Sequence, residues 1–387
     1  MSQNLLPDAA WQRMQRFAAD KPTPCLVFDL PTLRGKYAEL QAAFPFADIY
    51  YAVKANPDAE IIRCLDGLGA SFDIASVYEL QKLQSLGIPA ARMSYGNTIK
   101  KASDIAYAYG QGVRLFASDC ESDIRKLAKF APGSRVYIRV LTEGSETADW
   151  PLSRKFGCQR DMAVELNLLA RDLGLEPYGI SFHVGSQQRD ISSWDAAIGK
   201  VRFIFDQLAE AGIRLKMVNM GGGMPANYKH RPQDIETYGR AIARFLEEDF
   251  GDAPPQIIIE PGRSLVAEAG VLVSEVVQIS HKSHDSLDRW VYLDVGLFGG
   301  LIEALGEAIQ YPLCWEIDSD GEDEVIIAGP TCDSMDILYE DHRYSLPTNL
   351  QEGDRLYWLS TGAYTTSYSS VEFNGFPPLR SYMLDES

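Results

Sequence analysis

Apolar positions along this chain fall into two textures that meet near residue 268. From about residue 45 to residue 265, short apolar runs rich in β-branched and aromatic residues alternate with longer stretches whose apolar positions recur every three or four residues. The first kind suits buried strands and the second amphipathic helices. Eight runs read as strands: IYYAVKA (49–55), SFDIAS (71–76), MSYGN (93–97), RLFAS (114–118), RVYIRV (135–140), GISFHVG (179–185), MVNMGGG (217–223) and IIIEPG (257–262). Helical stretches such as AEIIRCLDGL, VYELQKLQSLG, MAVELNLLARDLG and IETYGRAIARFLEEDF lie between them. Eight strand-then-helix units predict an α/β chain closed into a (β/α)8 TIM barrel rather than an open sheet.

Beyond Glu268 the helical period fades. VLVSEVVQI, RWVYLDV, EVIIAGP, RLYWLS and SYML are strand-like, with turns between them. They predict a second, all-β domain, joined by the N-terminal run CLVFDL (25–30). The expected division is a barrel over residues 29–268 and a β domain made of 1–28 plus 269–387. The polar stretch 141–154 is expected to be a loop.

With 387 residues, 46% of them hydrophobic, the chain exceeds what one core usually holds, which agrees with two domains. It has no run of about 18 apolar residues, so no membrane span is expected. The start, MSQNLLPDAAWQRM, lacks a basic patch before an apolar stretch and does not read as a signal peptide. Six cysteines without a CxxC pair fit a cytoplasmic chain with reduced thiols. Five histidines without an HExxH pattern give no reason to expect a metal. A net charge of -18 disfavours a nucleic-acid or anionic-membrane partner, since Lys100-Lys101 is the nearest thing to a basic patch. The same charge is compatible with a small cationic substrate.

Active sites of such barrels lie at the C-terminal ends of the strands, so the polar residues found there carry the argument. Lys54 follows a strongly apolar run. A lysine among apolar neighbours needs either an acid beside it or a covalent task, and burial that lowers an amine's pKa suits a Schiff-base lysine. Gly221, Gly222 and Gly223 end the seventh strand. They are either a tight turn or a place where backbone N–H groups approach a phosphate. Glu260, Gly262 and Arg263 end the eighth, with Arg263 in line for the same anion, and the sixth ends in His183 with Ser186 close behind. A lone strand histidine is usually a satisfied core residue, but this one shares a rim with a lysine, an acid and a glycine loop. Together they suit an aldehyde cofactor held by Lys54. The glycines and Arg263 would anchor its phosphate, His183 would stack on its ring, and Glu260 would keep a pyridine nitrogen protonated.

The motifs YAVKANP, FDIAS, YGNTIK, SRKFG, SFHVGSQ, NMGGGMP, EPGRS, GPTCDSMD, GAYT and FNGF run in order from about residue 23 to 377. In them the chain resembles the fold-type III pyridoxal-phosphate decarboxylases that act on ornithine, lysine, arginine and diaminopimelate, most of all the ornithine branch. The resemblance implies an alanine racemase-like barrel, pyridoxal 5'-phosphate as cofactor, and release of CO2 from a basic amino acid, ornithine first. It implies that Asp73 lies near the Schiff base, that Arg139 supports the ring hydroxyl side, and that Tyr364 contacts the phosphate. It further implies a homodimer with two shared active sites. Cys332 would manage the proton at Cα in the neighbouring subunit's site, Asp333 would hold the distal amine and Phe373 would line that pocket. Lys155 and Asp336 are candidates for an ion pair across the interface, or are plain surface residues.

Two segments depart from the family pattern. Asn219 stands before the glycines where the family often has Asp, and a modest local change in hydrogen bonding is expected. In GLFGGLIEALGEAIQYP the ornithine branch needs an acid for the distal amine. Glu303 and Glu307 are the candidates, though either could equally be an ordinary solvated helix residue, while Gly306 occupies a place where an acid is usual. Decarboxylation of lysine, arginine or another diamino acid therefore stays open, as does a non-catalytic homologue that binds a regulator or stores the cofactor. GPTCD makes a diaminopimelate enzyme less suitable.

Overall fold

The structure, a computed structural model, describes residues 6–142, 147–150, 155–252, 254–319 and 321–385. In chain order the strands are β1 (Cys25–Asp29), β2 (Ala47–Ala52), β3 (Ser71–Ile74), β4 (Met93–Tyr95), β5 (Leu115–Ser118), β6 (Arg135–Arg139), β7 (Ala148–Trp150), β8 (Glu176–Ser181) and β9 (Ser186–Gln188). They continue as β10 (Met217–Asn219), β11 (Gln256–Ile259), β12 (Gly270–Ser280), β13 (Arg289–Leu293), β14 (Leu313–Cys314), β15 (Glu322–Ala328), β16 (Ile337–Pro347), β17 (Arg355–Leu359) and β18 (Arg380–Leu384). The chain divides into two compact units, Tyr37–Pro225 with Gln233–Gly262, and Met1–Lys36 with Ala226–Pro232 and Arg263–Ser387. These limits lie near, but not at, residues 29 and 268.

In the first unit, β2, β3, β4, β5, β6, β8, β10 and β11 close into a parallel barrel, and β11 pairs back onto β2. All eight expected strands are present. Their apolar runs are long because strands walled by helices outside and by one another inside have no solvent face. Leu115, Ala117, Tyr137, Met217 and Ile258 make one cluster of the core, with Tyr50 and Tyr178 packed on it. Burying each large apolar side chain contributes about 1.5–3 kcal/mol. Three covering helices begin at side-chain caps: Asp58 before Ala59–Gly67, Ser76 before Val77–Ser85, and Asp234 before Ile235–Phe250.

Most strands stop short of the runs that predicted them. β2 ends at Ala52, and Lys54 stands on the 3-10 turn Val53–Ala55 with half of its side chain exposed. The sequence reading had it buried on the strand itself. Part of the expected loop 141–154 is also a strand, since β7 pairs antiparallel with β9. Residues 143–146 and 151–154 of that stretch, which include the start of SRKFG, lie outside the described residues.

The second unit is mostly strand, as expected. Its sheet runs β14-β17-β12-β13-β15-β16, with β1 paired to β12 and β18. Val27, Val271, Val273, Tyr357 and Leu359 form a core on which Met14 and Ala18 of the helix Asp8–Ala18 are buried. The long strand β16 was absent from the sequence reading. Its middle, Glu340-Asp341-His342, is exposed, and its register with β15 shifts twice, so no clean alternation marks it.

Candidate active site

The polar residues of the first unit converge because parallel strands in register end together. Ala52 is the register partner of Asp73, Arg139 of Ser181, and Ser181 of Asn219. Just past those ends come Lys54, His183 and Glu260. The Lys54 ammonium lies 3.6 Å from Asp73 Oδ2. Asp73 is buried, and its Oδ1 has no hydrogen-bond partner. A Cβ on Gly96 would fall 2.0 Å from that oxygen, so only glycine lets the carboxylate sit there. Arg139 lies 5.0 Å from the Phe156 ring centroid, its charge close enough to act on Asp73, Glu260 and His183.

Burial dominates the site's protonation. It raises the Asp73 carboxyl, opposed by the Lys54 charge. Burial, reinforced by the Asp73 charge, also pushes Glu260 up to about 7, against the pull of Lys54, Asn219 and Arg139. His183 moves the other way: burial, then the Arg139 and Lys54 charges, hold its imidazole well below the usual range. It is therefore neutral, and its Nδ1 accepts from the Gly185 N–H at 3.0 Å, which leaves the proton on Nε2.

The glycine run is set by packing between strand ends. A Cβ on Gly221 would meet the Phe182 carbonyl at 2.5 Å, on Gly222 the Glu260 carbonyl at 2.7 Å, and on Gly223 the Gly185 carbonyl at 2.7 Å. Gly221 and Gly223 also have φ of 63° and 106°, which favours glycine independently. Ser186 is half-buried on β9, opposite Trp150, and Gly262 is buried.

The remaining candidates belong to the second unit. Arg263 is buried and makes a bidentate ion pair with Glu303: Nη1 and Nη2 each lie 2.7 Å from a different carboxylate oxygen. Nη1 also donates to Tyr228 Oη at 2.9 Å, and the Tyr364 ring lies 4.9 Å from the guanidinium. Tyr364 itself has a φ of 61°. Glu307 accepts from the backbone N–H groups of Glu340, Asp341 and His342 and pairs with the His342 ring, which together hold it below the usual carboxylate range. Gly306, within the 3-10 segment Ile302–Glu307, has a φ of 62°.

Cys332 is exposed and Asp333 half-buried. One Asp333 oxygen closes its own turn by accepting from the Met335 N–H at 2.9 Å. The Cys332 N–H donates to Asn374 Oδ1 at 2.8 Å, and the neighbouring Phe373 ring packs 4.7 Å from Phe298. Asp336 is no surface partner for a distant lysine. It is buried, and its carboxylate accepts from the Leu297 N–H, the Thr331 N–H and the Thr331 hydroxyl.

Sequence reasoning left Glu79 out of the site. Burial raises its carboxyl to about 7, the Asp73 and Lys54 charges reach it, and it accepts from the Ala75 N–H. The capping-box spacing Ser76-x-x-Glu79 was its legible signal. Asn374 lies inside the motif FNGF, from which only Phe373 was drawn, and Tyr228 had no such signal.

Residues 30–267 match the family described as pyridoxal-dependent decarboxylase, pyridoxal binding domain. A lysine/ornithine decarboxylase of Selenomonas ruminantium is 34% identical over 357 residues, 92% of this chain and 88% of that protein. An antizyme inhibitor 2 of Xenopus laevis is 32% identical over 363 residues, 90% and 78% of the two chains. The crystal structure of SrLDC in complex with PLP and cadaverine superposes with a TM-score of 0.88 at 31% identity, covering 99% of this chain and 95% of the other. The chain belongs to the pyridoxal-dependent basic amino-acid decarboxylase family, and its cofactor is pyridoxal 5'-phosphate.

The barrel end fits that cofactor. It offers a half-exposed amine to a carbonyl group, a buried carboxylate with an oxygen still unpaired, a neutral flat imidazole, and an acid poised near neutrality.

Proposed function

We propose that the chain decarboxylates a basic amino acid, preferring ornithine and yielding putrescine and CO2. The observation that supports this most is the Lys54–Asp73 pair in the company of Glu260, at strand ends where barrel enzymes keep their chemistry. When bound, the cofactor supplies a carbonyl for an amine and a ring that accepts electrons. Lys54 offers the amine, and Asp73 beside it favours the charged form until it is used. Glu260 holds the proton on the ring nitrogen, and neutral His183 offers a flat face without adding positive charge. Departure of CO2 leaves an electron pair at Cα, and the Cys332 thiol delivers the proton there.

Arg139, Ser186, Gly221, Gly222, Gly223, Gly262, Arg263 and Tyr364 complete the cofactor's binding set in this reading. Asp333 takes the substrate's distal amine and Phe373 lines the pocket. Neither Glu303, with both oxygens on Arg263, nor Glu307, held by backbone donors, is as available as Asp333. Cys332 and Asp333 act in a partner copy's site within a homodimer. The exposure of Met335, Tyr368, Val371 and Phe376 along those loops supports this. Free cysteines throughout the described residues support a reducing, cytoplasmic setting.

The test is CO2 release by the purified chain with pyridoxal phosphate, across ornithine, lysine, arginine and meso-diaminopimelate. Ornithine foremost supports the reading; release from another of the four reassigns the substrate. No release from any, despite bound cofactor, removes decarboxylation of these four. K54A should lose the cofactor's visible absorbance; retention of the yellow colour would reject the lysine assignment.

A further inference from the structure

Asn219 lies at the end of β10, fully buried, between two groups of opposite hydrogen-bonding character. Its Oδ1 accepts from the Gly221 N–H at 2.9 Å, and its Nδ2 donates to Glu260 Oε1. The two contacts enforce one another. A flipped amide would set Nδ2 against a donor and Oδ1 against a carboxylate, losing both bonds of a side chain that is itself fully buried. The backbone adds a third tie, because the Glu260 N–H donates to the Gly221 carbonyl at 2.7 Å. Gly221 therefore orients Asn219, and Asn219 orients Glu260.

We propose that Asn219 is a positioning residue, which fixes the Glu260 carboxylate in one orientation and favours its ionised form as a proton acceptor. The proposal rests on the reading of Glu260 as partner of the cofactor's ring nitrogen. Every charged or titratable group facing Glu260 enters the balance: Asp73 on β3, Lys54 after β2, and Arg139 and Tyr137 on β6. Burial and Asp73 favour the protonated acid, while Lys54 and Arg139 oppose them from other strands. Asn219 is the group that touches the carboxylate, and it can only donate to it.

Aspartate at 219 has nearly the same volume and can still accept from Gly221. Its second oxygen would then face Glu260 Oε1, and two carboxylates at that distance share one proton. Asparagine removes that competition, so Glu260 gives up its proton at lower pH than it would beside an acid.

The test follows the Glu260 carboxyl in the full chain by NMR with 13C-labelled glutamate, the signal being identified by its absence from E260Q. Wild type should titrate near 7. N219D should titrate at least one pH unit higher, a tenfold gain in proton affinity, and N219A should rise by less. With cofactor loaded, the acid limb of the kcat profile in N219D should move up alongside, kcat at pH 7 should fall at least about fivefold, and KM should hold within twofold. Wild-type titration in both variants would overturn the proposal, as would a KM change without a kcat change. If N219D does not fold, N219A decides alone: an unmoved Glu260 signal rejects the idea. The cofactor-free titration is independent of activity, so a wild-type chain that binds no cofactor would fail the functional reading and still leave Asn219 decided.

Discussion

Arg263 and Glu303 form a buried ion pair in which both carboxylate oxygens are spent on one guanidinium. Each charge is tolerable only because of the other. Removing one partner of a buried pair leaves an uncompensated ion and typically costs about 3–5 kcal/mol. E303A should therefore lower the unfolding free energy by about that amount, measured by urea denaturation of the cofactor-free chain. The double variant R263M/E303L should recover most of it, since well-packed apolar residues can replace a buried pair at little loss. A loss below about 1 kcal/mol in E303A would mean that water reaches Arg263.

Gly96 and Asp73 are in a similar dependence through space. A Cβ at position 96 cannot coexist with the Asp73 carboxylate 2.0 Å away. G96A should push Asp73 off its place beside Lys54 and cost about 1–3 kcal/mol of stability by overpacking. Cofactor affinity, read by equilibrium dialysis, should weaken at least tenfold while the far-ultraviolet dichroism stays native. Unchanged affinity would show that the Asp73 position does not matter for binding.

Residue type and strand position made most of the barrel and its rim legible. Parallel strands buried on both faces leave long apolar runs, and Lys54, His183 and Glu260 stand out because polar groups rarely end such runs. What stayed hidden depends on partners that one position cannot announce. Glu303 reads as an acid free for a substrate amine until Arg263 is found holding it. Asp336 reads as a surface residue until Gly296 and Gly329 are seen to make room for it; a Cβ on either would come within 2.4 Å of its oxygens. Asn219 differs from aspartate by one atom type, and its meaning lies in the two groups it bridges.

That buried carboxylate also links to the loop that carries Cys332 and Asp333. D336A would strand the Leu297 N–H and the Thr331 N–H and hydroxyl, each an unsatisfied group costing about 1–3 kcal/mol where burial is complete. The melting temperature should fall by several degrees. Iodoacetamide should also modify Cys332 at an altered rate, followed by mass spectrometry. An unchanged melting temperature and rate would show that the loop holds its shape without Asp336.

Glu260 should make stability depend on pH. Its folded-state carboxyl titrates near 7, above the 4.5 of an ordinary glutamate. A raised acid stabilises the fold most below its unfolded value, and that contribution is lost as pH rises through the folded one. The cofactor-free chain should thus lose stability between about pH 4.5 and 7 in proportion to this group. E260Q removes the dependence, so its melting temperature relative to wild type should be higher at pH 8 than at pH 5. An equal difference at both pH values would place Glu260 among ordinary carboxylates.

His183 should show the opposite sign. Its imidazole is depressed by burial and by the Arg139 and Lys54 charges, so the unfolded chain binds a proton that the folded chain refuses. Its stabilising contribution is present above the unfolded value near 6.5 and is lost as pH falls below it. Protonation would also break the bond from the Gly185 N–H to Nδ1, since the imidazolium has no acceptor nitrogen. In 15N-labelled protein, one of the five histidine rings, identified by its absence from H183Q, should keep the neutral Nε2–H pattern down to pH 5.5. Conversion of that ring to imidazolium at pH 6 would mean that water screens it. A stacking surface of fixed neutral charge beneath an electron-accepting ring would then have to be abandoned.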